Sequence, residues 1–538
     1  MLPTAPAAAG PPSEAPAEDA TPSWARLAIG AVLAVGVFAR FFAPSHLWLD
    51  EALSVNVARL PLGEIPEALR HDGAPPLYYL LLHGWMQVVG QGDLAVRALS
   101  GVFGVAALPL MWLFGRRLAG RQVAWISVVL LAACPFAVRY STEARMYSLV
   151  VLLGLVGGVA VLALRDRPSL GPSVVLAAAT GLLLLTHYWG FYLVAAAVAV
   201  LVVDARARGA TAAGARRALA AIAAGSLLFV PWLPSFWYQL RHTGTPWAGP
   251  PRLRVLLDAV VDFAGGYWDP GLGLGLLYLA LLALGLWGRA LDERRIEIDL
   301  RGHMPGTALA ALCFVTMALA VVVARLSGSA FATRYASVIL PFTLVLVALG
   351  TQALAWPEPR RGVVAVAAVL GLAAVVPNLV GERTTAPRVA KVLDAQAEAG
   401  DVVAYCPDQL GPSVSRLLHL EGVTQLTFPR AGSPELVDWV DYAETNRRAR
   451  TEPFARMLHE RAGAANTVWV VWAPAYRTFA SKCSELLEDL RGLRTEDRPV
   501  HLGRRTFERP GLVRYAPPDA VPDDAGPARA AGTIAPRA

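Results

Sequence analysis

Between about residue 25 and residue 382 the chain alternates long apolar runs with short polar connections. A helix needs about 17 to 25 apolar residues to cross a bilayer. Eleven runs of roughly that kind are predicted, near 25–44, 95–115, 122–138, 146–164, 173–186, 190–203, 218–235, 270–288, 306–324, 336–354 and 362–380. The pattern therefore predicts a mainly α, polytopic membrane bundle over 23–382. Leu77 to Val89 is apolar but too short to cross, which predicts a helix lying along the interface with Tyr78, Tyr79 and Trp85 at headgroup level. After Arg383 the pattern changes. DVVAYC (401–406) and TVWVVWA (467–473) read as strands and alternate with the helix-like stretches APRVAKVLDAQAEAG, RRARTEPFARMLHERAG and RTFASKCSELLEDLRG. A small α/β domain is predicted over 383–517, flanked by loose tails at 1–22 and 518–538 that are rich in Ala and Pro. The first tail lacks the basic start of a signal peptide, so the first span reads as uncleaved.

Composition agrees: 55% of residues are hydrophobic and 17% charged, with a mean hydropathy of +0.46, too apolar for a soluble protein. Charge sets the orientation. If the N-terminal tail is cytoplasmic, the short inner linkers hold fifteen arginines, Arg208 among them, against nine in the longer outer loops, Arg252 among them. Basic loops stay inside. The protein is thus expected to span the plasma (inner) membrane with Asp50, Glu51 and the C-terminal domain on the outer face. The net charge of +7 reflects this topology and gives no reason to expect a nucleic-acid partner. Cys406 and Cys483 fall in the outer domain, where they can be oxidised together. Cys134 and Cys313 fall inside predicted spans and read as packing residues.

The polar residues that remain collect at one face. HLWLDEALS (46–54) puts Asp50 and Glu51 just beyond the first span. Asp before a helix also serves as a cap, so that reading stands beside a catalytic one. RYSTEARMY (139–147) adds Glu143 and Arg145, THYWGFY (186–192) adds His187, and ARLSGSAFATRY (324–335) adds Arg334. A single such arginine need only snorkel to lipid phosphate. Several arginines, a histidine and a carboxylate pair at one membrane face suggest a site that accepts a lipid phosphate and handles a proton. There is no Asp-x-Asp motif for a nucleotide-sugar metal, and GLGLG (271–275) lies in a span, where glycines pack helices.

The order W-x-D-E-x-x-S after the first span, HDGAPPLYYLLLHGWMQVVGQGDLAVRALSGVFG into the second, TEARMYS opening the fourth and TRYASVILPF before a late one resembles glycosyltransferase family 39. That group of membrane C-type glycosyltransferases includes protein O-mannosyltransferases and aminoarabinose transferases. The resemblance covers about residues 45–345 and is most specific in the first loop. It implies inverting transfer of a sugar from a polyprenyl-phosphate donor to a glycan, lipid or protein acceptor on the outer face, in contact with membrane lipid. Asp50 matches the residue that takes the acceptor proton and Glu51 its partner, while Arg145 resembles the residue that holds the donor phosphate. Glu143, His71, Tyr78, Arg97, His187 and Arg334 are site-lining matches.

The chemistry also requires these residue types without the family. A hydroxyl attacking an anomeric carbon needs a base, and a departing lipid phosphate needs a fixed cation. The rival from another class is a transporter or flippase for a lipid-linked sugar, which should carry charges near mid-span and broken helices in related halves. A sensor whose outer domain binds a partner leaves the acidic first loop without a role. No cofactor is implied with certainty. A divalent metal is possible, with His71, His83, His187, Asp72 and Glu143 as ligands if the fold brings them together.

Overall fold

A computed structural model describes residues 22–206, 209–244, 254–327, 331–474, 476–496 and 508–517. Residues 1–21 and 518–538 of the expected tails, Arg208 and Arg252 of the charge count, and residues 328–330 of the ARLSGSAFATRY stretch lie outside the described residues.

Each of the eleven predicted apolar runs is helical. Five are long and apolar enough to cross a membrane alone: Asp93–Ala119, Tyr147–Asp166, Thr211–His242, Gly306–Leu326 and Pro357–Val380. A sixth is a pair, Arg121–Ala133 and Pro135–Ser141, bent by 58° at the break before Pro135, where the ring excludes a regular helical hydrogen bond. The other five, Ser23–Ala39, Leu170–Leu184, Gly190–Ala205, Gly271–Trp287 and Leu340–Ala353, are shorter apolar helices. By length alone, then, five or six helices among the described residues are long and apolar enough to cross a bilayer. Close contacts use small residues, as expected where lipid offers no hydrophobic drive for association. A Cβ placed at Gly350 would lie 1.9 Å from the Leu281 carbonyl oxygen, and one at Gly36 would lie 2.5 Å from that of Ala132.

Two short strands, β1 (Gly288–Ala290) and β2 (Ile296–Ile298), form a hairpin between two apolar helices. The C-terminal part carries a five-stranded sheet of β3 (Val402–Cys406), β4 (Thr424–Thr427), β5 (Val468–Trp472), β6 (Thr495–Glu496) and β7 (Gly511–Ala516) in the order β4-β3-β5-β7-β6. β3 runs parallel to β4 and β5, while β7 is antiparallel to β5 and β6. Helices Ala386–Gln396, Thr451–Ala462 and Lys482–Arg491 accompany the sheet, and Val402, Val403, Val468 and Val470 are buried, as continuous apolar strands covered on both faces require. Cys406, at the end of β3, is joined to Cys483 with a Cα separation of 5.5 Å. Cys134 is buried and directs its thiol to the Phe263 carbonyl.

The first loop folds into three helices, Leu49–Arg59, Ile65–Asp72 and Leu77–Val89. The last is the expected short helix, and Tyr78 and Tyr79 on it are 0% and 1% exposed, so both side chains face the protein interior. Tyr78 bonds the Ser100 hydroxyl at 2.9 Å, Tyr79 donates to Asp72 at 3.1 Å, and Leu80, Leu81, Val88 and Val89 form the exposed side. A hydroxyl near the N-terminus of this helix finds a protein partner there, which turns both tyrosines inward.

Candidate active site

The stretch HLWLDEALS is divided among three environments. Leu47 packs in the membrane core, whereas Trp48 and Leu49 are buried in the apolar core of the sheet domain with Val402, Cys406 and Val468. The helix Leu49–Arg59 follows, its first turn carrying Asp50 and Glu51 where the helix dipole favours negative charge. It ends at Leu60, which is extended ahead of Pro61. Successive residues of a helix point about 100° apart. Asp50 and Glu51 therefore face different surroundings.

Glu51 is fully buried. Arg97 Nε donates to its Oε1 at 2.6 Å and Arg97 Nη2 to its Oε2 at 2.7 Å, while the Ala144 N–H donates to Oε1 at 3.1 Å. Arg383, which leads out of the last apolar helix, places Nη1 3.6 Å from Oε2. Burial opposes ionisation of Glu51, but Arg97 and then Arg383 outweigh it and hold the carboxyl below its ordinary range. The same two arginines tie loops together. Arg97 also donates to the carbonyls of Ala43, Ser45 and His46, and Arg383 to the carbonyl and hydroxyl of Thr142. Glu51 is thus the hinge pin of the first loop, the 142–145 turn and the entry to the sheet domain.

Asp50 is turned the other way and remains 17% exposed. Its Oδ2 lies 3.4 Å from Arg334 Nη2. Arg145 Nη1 donates to the Asp50 carbonyl at 3.3 Å and to the Ser54 hydroxyl at 3.0 Å, and that hydroxyl donates to the same carbonyl at 2.8 Å. Two guanidiniums from separate loops therefore meet at the first turn of this helix. Aromatic rings cluster beside the two arginines: Tyr335 lies 5.1 Å from His187 and 5.6 Å from Trp189, and Tyr147 lies 5.8 Å from His187. The His187 Nδ1 accepts the Trp189 N–H at 3.1 Å. A carboxylate with an open edge, two adjacent fixed cations and an aromatic wall can take a proton from one group while holding an anion beside it.

Residues 73–234 match the family described as dolichyl-phosphate-mannose-protein mannosyltransferase. This is the family that the sequence motifs resemble. Over nearly its whole length the chain is also similar to ArnT from Cupriavidus metallidurans, crystallised with undecaprenyl phosphate: TM-score 0.56 and 13% identity, covering 94% of this chain and 99% of that one. The apo form of ArnT gives a TM-score of 0.58 at 12% identity, covering 91% and 97%. The fold is that of the membrane C-type glycosyltransferases. No curated protein matches the chain in sequence.

In this glycosyltransferase fold, Asp50, Arg145, Arg334 and His187 are brought together. Glu51 and Arg97 form the buried pair described above and line no open space. Glu143, 1% exposed, is paired with Arg139 at 2.6 Å. Tyr78 is buried behind Ser100, whose hydroxyl donates to the Arg145 carbonyl at 2.9 Å, so it supports the 145 turn from behind. His71 is drawn off to the sheet domain, where its Nδ1 lies 2.9 Å from Asp438 Oδ1 and its carbonyl accepts the Trp439 N–H. His71, His83, His187, Asp72 and Glu143 are not gathered into a metal-binding group among the described residues. Sequence reasoning missed Arg383, Ser54, Tyr335 and Tyr147. Ser54, Tyr335 and Tyr147 stand inside the quoted motifs, and Arg383 marked only a change in composition.

Proposed function

We propose that this glycosyltransferase moves a mannose-like sugar, or another hexose or pentose, from a polyprenyl-phosphate carrier to a glycan, lipid or protein of the cell envelope, on the outer face of the plasma membrane and with inversion. The observation that carries this reading is the position of the Asp50 carboxylate, open at one edge and 3.4 Å from Arg334, on a turn that Arg145 also grips. In the reaction the acceptor oxygen forms a bond to the anomeric carbon and its proton passes to Asp50. The bond from that carbon to the phosphate oxygen breaks on the opposite face, and the electron pair leaves with the polyprenyl phosphate. Arg145 and Arg334 would meet the charge that grows there. Undecaprenyl phosphate bound to ArnT, the carrier named for that protein, supports the choice of donor class. The arginine bias of the linkers supports the orientation, with the N-terminal tail and the linkers cytoplasmic and the 383–517 domain outside.

The test is Asp50→Asn, which keeps size and most hydrogen bonding but cannot accept a proton. Sugar transfer should fall roughly 100-fold or more while donor binding holds. Transfer near the parent rate by folded Asp50→Asn protein would reduce Asp50 to a helix cap.

A further inference from the structure

Farther along the Tyr147–Asp166 helix from the site, this helix and its neighbours Leu170–Leu184, Gly190–Ala205 and Gly306–Leu326 leave a cavity of about 160 Å³ between them. A single water needs only about 10–15 Å³. Small residues make the room: Gly154, Gly157 and Gly158 on one wall, Ala179, Ala197 and Ala308 on the others. A Cβ placed at Gly154 or Gly157 would come no nearer than 3.8 Å to a neighbouring side chain, so these glycines do not serve close packing as Gly350 and Gly36 do. Thr180 in the wall donates its hydroxyl to the Leu176 carbonyl of its own helix at 2.8 Å. The remaining wall is apolar up to a rim where Arg165 and Asp204 stand 2.8 Å apart, 27% and 20% exposed.

On the Tyr147–Asp166 helix the lining begins at Leu153 and ends at Arg165, a depth of about 18 Å at 1.5 Å per residue. That is little more than half of a hydrocarbon core about 30 Å thick. Tyr147, at the other end of the helix, belongs to the site, and none of Asp50, Arg145, His187, Arg334 and Tyr335 lines the cavity. The chamber is thus about one leaflet deep, with its exposed rim at the face opposite Asp50. Around that rim the helix ends bring Arg116, Arg117, Arg165, Arg167, Arg206 and Arg217 against two carboxylates, Asp166 and Asp204. Bonds between helices hold them close: Arg117 lies 3.2 Å from Asp166, and Arg217 donates to the Ser173 hydroxyl at 2.9 Å. An apolar chamber with a surplus of guanidiniums at its mouth suits an amphiphile with a negative head.

We propose that this chamber binds one acyl chain of an anionic phospholipid of the cytoplasmic leaflet, whose phosphate sits among the rim arginines. The choice of leaflet rests on the orientation proposed above; the chamber, its depth and its charge do not. The chain of the sugar carrier fits the same space badly, because the phosphate of that carrier has to reach Asp50 at the other face. A bound acyl chain gives the glycine and alanine walls the contacts they lack, and a ligand that binds the folded form alone stabilises it. The site is structural and is separate from the transfer chemistry.

The experiment uses the full chain in phosphatidylcholine nanodiscs that hold a small fraction of either phosphatidylglycerol or phosphatidylcholine with a photoactivatable diazirine midway along one acyl chain. Crosslinked peptides are mapped by mass spectrometry. Labelling of residues 153–162, 193–201 and 308–312 is read relative to the exposed side of Pro357–Val380, which carries Val376 and Val380. In the parent this ratio should be roughly 10-fold higher with phosphatidylglycerol, the scale of one charge-assisted contact. Ala197→Phe and Ala308→Phe fill the chamber from two different helices, and each should lower the ratio roughly 10-fold, while labelling at Val376 and Val380 reports that the variant has inserted. Arg117→Gln with Arg217→Gln should bring phosphatidylglycerol down to the level of phosphatidylcholine. Equal ratios for the two lipids in the parent, or a parental ratio in both phenylalanine variants, overturns the proposal. Displacement of the phosphatidylglycerol label by unlabelled undecaprenyl phosphate also overturns it and gives the chamber to the carrier chain. Loss of activity in Asp50→Asn bears on none of these readings, so failure of the proposed function and failure of the lipid site are distinct.

Discussion

Arg97 and Glu51 form a two-pronged ion pair, at 2.6 and 2.7 Å, inside a fully buried pocket. Neither partner can rehydrate if the other is removed, and breaking such a pair typically costs about 3–5 kcal/mol. Glu51→Gln and Arg97→Ala are both expected to lower the unfolding temperature and the yield of folded protein before any effect on chemistry is measurable. A Glu51→Gln protein with the parent's unfolding temperature and reduced transfer would instead give Glu51 a part in the reaction.

Arg145 and Arg334 approach Asp50 from two different loops. If both meet the donor phosphate, Arg145→Ala and Arg334→Ala should weaken binding of undecaprenyl phosphate as well as the rate, because their charge acts in both the ground and the transition state. Each loss of a charge-assisted contact corresponds to roughly 10-fold or more in affinity. Titration of labelled carrier into the purified variants measures this. Unchanged carrier affinity in both would show that the phosphate is held elsewhere.

The Cys406–Cys483 bond closes a segment of 77 residues in the sheet domain. Its loss should cost up to roughly 4 kcal/mol in the chain-entropy account of such loops. Because Trp48 and Leu49 lie in that domain's core, the damage should reach the Asp50 turn. Cys406→Ser with Cys483→Ser is expected to unfold at lower temperature and to transfer sugar more slowly. Alkylation without reductant in the parent checks the bond itself, and two labelled thiols there would disprove it.

Asp408 gives the sheet domain a pH dependence of definite sign. Burial pushes its pKa up to about 7, against the pull of hydrogen bonds from Tyr442 and the Gln409 N–H and of the Arg430 charge. The folded form then keeps a proton that the unfolded chain releases near its ordinary value of 3.8. Stability from this group is complete below about pH 4, falls as pH rises to about 7 and is flat beyond, with a total on the order of a few kcal/mol. Burial raises Glu508 as well, also to about 7, which adds in the same direction. Unfolding of the purified protein should occur at a higher temperature at pH 5 than at pH 8, and Asp408→Asn should narrow that gap. An equal gap in the variant would place the dependence on other groups.

Much of the architecture is local in origin and was legible in the chain. Eleven apolar runs became eleven helical segments, because an apolar stretch in a bilayer must satisfy its backbone internally. The alternation after Arg383 became a sheet with helices beside it, because apolar β-branched runs such as TVWVVWA bury well only in strands. The quoted motifs also marked the loops that carry Asp50, Arg145, His187 and Arg334, since several arginines, a histidine and a carboxylate collected at one membrane face point to an anion site. Which of those charges face the open space was not local. Asp50 and Glu51 are neighbours of the same type, and only the rotation of one helix, pinned by Arg97 and Arg383, leaves one partly exposed and sends the other into a closed pocket. His71 and Tyr78 looked like lining residues until tertiary contacts drew them to Asp438 and Ser100. Tyr79 is turned inward in the same way, to Asp72. A helix period gives a face but not its partner. The setting of the Asp50 turn lies furthest from local reach: Trp48 and Leu49 meet Val402, Cys406 and Val468 only because the chain returns through a whole domain, and no spacing or composition at either end records that meeting.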